Sequence, residues 1–368
     1  MKYGIYYAYW EQDWQADYLP YIEKSAKLGF DCLEIACTPI NSYPKSKLVE
    51  LRQAAADHGI FLTAGHGPSA MQNLASSDPA VVKNATEFFT ELLKRLEIMD
   101  IHTLGGGIYS YWPVDYSQPI DKPGDWARSV ANVRKVGRIA GECGVAYCLE
   151  ALNRFEGYLI NCAEECCRFA REVDEPAVRV MLDTFHMNIE ESDFGAAIRS
   201  AKGLLGHFQT GECNRLVPGK GRIPWREIAS ALHDIGYDGN VVMEPFVRMG
   251  GRVGGATSKS GATSPTERPR NSSTPTRRRP STLSGIFSSN RRRVGVCGTA
   301  GAYASGRPRT RRIGRIGQIR LIGQYGCRRS QIGASYGNSP HLGLIVLLVL
   351  LSLAFLSVAC VGVSNVER

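Results

Sequence analysis

Four oxygen-bearing side chains recur at one kind of place in this sequence. Glu150 closes the run VAYCLE, Asp183 closes VRVMLD, Gln209 lies near the end of LLGHFQT, and Glu244 follows NVVM. Each run is apolar and β-branched enough to be a buried strand, and each sets its polar group at the C-terminal end. A cluster of hard oxygen donors suits Mn²⁺, Co²⁺ or Mg²⁺ better than a thiolate zinc site. A strand-end carboxylate taken singly is an ordinary solvated residue, whereas three carboxylates and an amide on four successive strands read as one metal centre. His186, three residues after Asp183, and Arg215 add donors for sugar hydroxyls or a carbonyl oxygen.

The elements that must position these groups alternate in type. Strand-like runs fall at 2–9, 32–36, 61–64, 102–107, 145–152, 178–185, 204–210 and 240–246, and helical spacing falls at 17–28, 46–57, 78–99, 125–142, 162–172, 194–202 and 225–235. Ser77-Asp78-Pro79 is a helix start, a capping residue ahead of a first-turn proline. Eight strands alternating with seven helices imply parallel βα units closed into a (β/α)8 TIM barrel, which places active sites at the C-terminal ends of its strands. No helix is evident after the eighth strand, so the barrel is expected to lack its normal last helix. Its exposed outer face would then be less stable or covered by a partner subunit.

Charge divides the 368 residues in two. The whole chain carries +9, but 251–368 holds 18 Arg, one Lys and two acids, while 1–250 has a net charge of −8. The basic average therefore does not make the barrel a nucleic-acid binder. Eight cysteines lie within 1–250 without a CxxC or CxxH spacing, and the first residues lack the apolar core of a signal peptide; a reduced, cytoplasmic protein is expected. Three segments follow: a barrel domain over 1–250, an Arg/Ser/Gly/Pro-rich disordered tail over 251–341, and an uncharged apolar run over 342–363 long enough to span a bilayer. The tail reads either as a membrane anchor behind a basic linker or, preferably, as the out-of-frame translation of a GC-rich gene. Membrane attachment is expected only if the tail is genuine.

The stretches LEALNRFEGYLINC (149–162), VMLDTFHMNIEE (180–191), GECNRLVPGKGRIPW (211–225) and VVMEPFV (241–247) resemble the D-tagatose/D-psicose (allulose) 3-epimerases, xylose-isomerase-like TIM-barrel sugar epimerases; IYYAYWEQDWQADY (5–18) and GGIYSYWPVDYS (106–117) agree. The resemblance covers about residues 1–251. It implies reversible, metal-dependent inversion at C3 of free ketohexoses, D-fructose/D-psicose or D-tagatose/D-sorbose. By position it makes Glu150 and Glu244 both metal ligands and the two acid/bases, and Asp183 a third ligand. Glu156, His186 and Arg215 would bind substrate around O1 to O3, with Tyr6, Trp14, Gly107 and Trp112 lining the pocket. The implied cofactor is Mn²⁺ first, with Co²⁺ or Mg²⁺ as alternatives. The partners are a ketohexose and further copies of the chain, in a homodimer or homotetramer.

One departure stands out. The fourth ligand of that family is a histidine, in HFHTGE, where this chain reads HFQTGE with Gln209. An amide oxygen is a weaker donor than imidazole, and His207 sits about 7 Å further down the strand. The competing expectations are a weakened sugar-binding relative, an endonuclease of the same barrel superfamily, and a related isomerase of hydroxypyruvate or inosose type.

Overall fold

The computed structural model describes residues 1–248 and 250–257. Eight parallel strands close in chain order: β1 (Lys2–Tyr6), β2 (Cys32–Ala36), β3 (Phe61–Gly65), β4 (Thr103–Gly106), β5 (Ala146–Glu150), β6 (Val178–Asp183), β7 (Leu205–Thr210) and β8 (Asn240–Met243), with β8 paired back onto β1. Strands buried on both faces need apolar residues along their whole length. All five residues of β2, CLEIA, are accordingly buried although one is a glutamate. Leu33 and Ile35 belong to one continuous apolar core with residues of the surrounding helices.

Nine helices occur among the described residues: α1 (Leu19–Leu28), α2 (Lys45–Asp57), α3 (Pro79–Ile98), α4 (Lys122–Glu142), α5 (Ala163–Val173), α6 (Thr184–Glu190), α7 (Phe194–Ser200), α8 (Trp225–Asp234) and α9 (Gly251–Thr257). Their ends follow from local chemistry. Asp78 accepts a hydrogen bond from Ala80 N–H ahead of Pro79, as the sequence predicts. Gly29 ends α1 at φ 83°, a left-handed conformation that glycine adopts without strain. Inside the barrel Gly105 is required by space, since a Cβ there would lie 2.5 Å from Met181 Sδ.

Two helices go beyond the seven that periodicity predicts. α6 begins directly at the end of β6, so the strand stops at Asp183 rather than running to 185. A seven-residue helix embedded in an apolar run leaves no periodic signal of its own. After β8, α9 follows with three glycines in seven residues; it buries Val253, whose N–H bonds to Gln12 C=O. It is about two turns long, against 20 and 21 residues for α3 and α4. The expected basic tail lies outside the described residues beyond Thr257, and the apolar run at 342–363 lies wholly outside them. No helix among the described residues is long and apolar enough to cross a membrane.

Candidate active site

The strand register gathers the polar strand ends. Glu150 pairs with Met181, Asp183 with Gln209, and Gln209 with Val242. β8 ends one residue before Glu244, yet the Glu244 N–H still donates to Thr210 C=O at 2.9 Å, which continues the ladder. A cavity of about 480 Å³ opens there; Glu150, Gln209 and Glu244 line it together with Tyr6, Trp14, Gly107, Trp112, Glu156, His186 and Arg215. Asp183 is fully buried beside it and reaches it through Arg215 and His186, at 3.2 and 3.9 Å. All the residues singled out in the sequence therefore meet at one site.

Asp183 has two tasks. Its Oδ1 accepts the Phe185 N–H and caps α6, which leaves Oδ2 facing Arg215 Nη1. The same guanidinium nitrogen donates to Glu244 Oε2 at 3.1 Å. Arg215 itself sits at φ 58°, a left-handed conformation unfavourable for a side chain of its size. The loop that imposes it is built around the buried carboxylate of Glu212, which accepts from Gly219 N–H, Ile223 N–H and Trp225 Nε1–H. The Arg215 C=O accepts the Phe246 N–H at 3.0 Å, and its guanidinium lies 3.5 Å from the centre of the Phe185 ring.

One guanidinium does not balance three carboxylates. Burial, then Glu244 and Asp183, pushes the Glu150 carboxyl well above its usual range against the pull of Arg215. Burial likewise raises Glu244 well above that range, with Arg215 opposing. Asp183 is raised by burial despite Arg215 beside it. The cluster holds a deficit of positive charge.

His186, on the first turn of α6, presents Nε2 to Glu150 Oε1 at 3.5 Å. Burial, then Arg215, holds its imidazole well below the ordinary value, so the ring is neutral at neutral pH. Its Nδ1 faces the Asn153 N–H, which can only donate, and the Asn153 side-chain amide. Nδ1 is therefore the acceptor and Nε2 carries the proton. Although Glu150, Asp183 and His186 offer atoms within 4.8 Å of one another, a protonated Nε2 is a hydrogen-bond donor and not a ligand.

Glu156 accepts from Trp112 Nε1–H at 3.3 Å and from Asn153 Nδ2 at 3.1 Å, and lies 3.6 Å from Arg215 Nη2. Trp14 meets Trp112 and Phe246 edge to face, at 6.0 and 6.2 Å between centroids. Trp112 can lie where it does because residue 67 is glycine; a Cβ there would come within 3.1 Å of the indole.

Several contributors escape the sequence. Asn153 and Phe246 lie within the family-like stretches without a role being evident. Glu34 carried a signal, an acid at the centre of an otherwise apolar strand. His66 is buried at the cavity wall beside Phe88, and burial lowers its pKa to about 4. His102 is exposed and bonds to Asp100 and to Gly144 C=O, away from the site.

Comparison with known proteins agrees with this geometry. The family model described as Xylose isomerase-like TIM barrel matches residues 22–263. The D-psicose 3-epimerase of Ruminiclostridium cellulolyticum is 63% identical over 254 residues, covering 69% of this chain and 87% of the relative. That of Agrobacterium fabrum is 55% identical over 254 residues, covering 69% and 88%. The crystal structure of D-psicose 3-epimerase with D-tagatose from Clostridium cellulolyticum H10 superposes with a TM-score of 0.69 at 63% identity, covering 70% of this chain and 89% of that one. With the barrel, the strand-end carboxylates and these relatives in agreement, the chain belongs to the ketose 3-epimerase family of isomerases, within the xylose isomerase-like TIM barrels.

Proposed function

We propose that the protein inverts C3 of a free ketohexose, interconverting D-fructose and D-psicose, with Glu150 and Glu244 as the two proton carriers. The observation that carries this reading is the pair of glutamates on one cavity, Glu150 buried and Glu244 largely so, in a chain 63% identical to a D-psicose 3-epimerase. A proton next to a ketone is too weakly acidic to leave unaided. Inversion requires that it be taken from one face of C3 and returned to the other. Two carboxylates on opposite sides of the carbon do this, each alternating between base and acid. Arg215 and His186 Nε2–H are donors for the substrate oxygens around O1 to O3, and Glu156 is the acceptor there. Tyr6, Gly107, Trp14 and Trp112 wall the cavity and exclude water from the carbanionic carbon.

The residues present fit a divalent cation. Arg215 pairs with Asp183 and Glu244, Glu150 lies in the same cluster, and Gln209 Oε1 is buried with no hydrogen-bond partner among the described residues. Glu150, Asp183, Gln209 and Glu244 would hold the ion, for which Mn²⁺ suits the oxygen donors, with Co²⁺ or Mg²⁺ as alternatives. When bound, it would supply Lewis-acid polarisation of the ketone and the adjacent hydroxyl oxygen. The eight described cysteines are unpaired, which supports a reduced, cytoplasmic setting. A homodimer or homotetramer is proposed for the assembly; the helix after β8 has only seven described residues.

Glu150→Gln and Glu244→Gln are each expected to slow exchange of the C3 proton with solvent deuterium by about 10²-fold or more; exchange near the wild-type rate in either variant would remove that residue from the mechanism.

In the metal-free protein, Glu150, Asp183 and Glu244 bind their protons more tightly folded than unfolded. Their contribution to stability is complete below the ordinary carboxylate values of 3.8 to 4.5 and is lost as pH rises through the raised native values. Melting temperatures measured with and without Mn²⁺ should show a larger metal-induced rise at about pH 8 than at about pH 5. An equal rise at both would contradict the charge deficit.

Gln209→His should restore an imidazole donor and tighten Mn²⁺ binding by about 10-fold or more. Activity against free Mn²⁺ reads this directly, and superimposable curves for the two proteins would show that residue 209 does not face the ion.

A further inference from the structure

Glu34 is fully buried on β2, paired with Tyr6 of the cavity wall. Its Oε2 accepts the Thr63 hydroxyl at 2.9 Å and lies 2.7 Å from His207 Nε2, within ion-pair distance although the ring is not aligned for a hydrogen bond. Its Oε1 accepts from Gln209 Nε2. Both Glu34 oxygens thus act as acceptors, Oε2 for the Thr63 hydroxyl and Oε1 for the Gln209 amide.

The two ends of a side-chain amide have nearly the same size, and packing barely distinguishes them. An acceptor-only neighbour does: the NH₂ end must face it. Gln209 accordingly turns Nε2 to Glu34, and its Oε1 is left at the other end, buried and without a partner. The neighbouring strand places Asp183 directly beside Gln209, and Glu150 and Glu244 line the same cavity. Of the two ends of an amide, only the oxygen has a lone pair free for a cation.

We propose that Glu34 is a positioning residue that orients the Gln209 amide so that its oxygen faces the divalent-cation site. This rests on the reading of Gln209 as a ligand. A glutamine at 209 thereby stands in for an imidazole only because Glu34 fixes which end is presented. A neutral amide at position 34 could donate or accept and would no longer impose that choice.

The test is Mn²⁺ affinity, read from the free-ion electron paramagnetic resonance signal, for the full chain and for Glu34→Gln, Gln209→Ala and the double variant. Each single variant is expected to weaken Mn²⁺ binding by about 10-fold or more, and the double variant to bind no more weakly than Gln209→Ala alone. Two results overturn the proposal: unchanged affinity in Glu34→Gln, or a Glu34→Gln effect that persists undiminished in the Gln209→Ala background. Wild-type affinity in Gln209→Ala would instead remove Gln209 from the ligand set, and the proposal with it. If Glu34→Gln does not fold, Glu34→Asp keeps the charge but withdraws it by one methylene. Weaker Mn²⁺ binding is expected there too, and unchanged affinity would overturn the proposal.

Discussion

The constraint on which the site depends is the crowding of Glu150 and Asp183, both buried, and Glu244, largely buried, beside a single guanidinium. Buried carboxylates repel one another and lose their hydration, so they either neutralise or recruit positive charge. Arg215 supplies part of that charge by bridging Asp183 and Glu244. Much of the surrounding structure serves to keep it there: the Glu212-centred loop, the left-handed backbone at residue 215 and the Phe185 ring under the guanidinium. What Arg215 leaves unbalanced is the electrostatic demand that a divalent cation would meet.

The same economy of groups governs the proton positions. Asp183 caps α6 with one oxygen and faces the site with the other, so the helix that carries His186 and the carboxylate beside it are placed by a single residue. Asn153 then fixes the imidazole tautomer. A neutral histidine with its proton on Nε2 is a hydrogen-bond donor at that nitrogen rather than a base. The placement of Asp183 and the tautomer of His186 thus follow from two backbone N–H groups, those of Phe185 and Asn153.

The barrel was legible in the sequence because its strands are short apolar runs, β5 to β8 with a polar residue at or just past the C-terminal end, and the long helices have a 3.6-residue period punctuated by glycine, proline or an acidic cap. The site residues were legible for the same reason: strand ends are where polarity interrupts burial. α6 was not, since it continues an apolar run without a turn signal, and the strand was read two residues too long. Glu34 was visible as an odd residue in CLEIA, but its partner Gln209 is 175 positions away. Contacts of that separation are set by barrel closure and leave no mark on local sequence. Residue 209 was flagged by a departure from a family pattern, whereas the way its amide is turned came from the geometry.

The central claim is that this cavity performs proton transfer at C3 of a ketose. Its most direct test is incubation of the full chain with D-fructose and Mn²⁺ in deuterium oxide, followed by nuclear magnetic resonance of the sugars. The account predicts D-psicose carrying deuterium at C3 and at no other carbon. Deuterium at C1 with aldose products, or no change in the sugar, would contradict it.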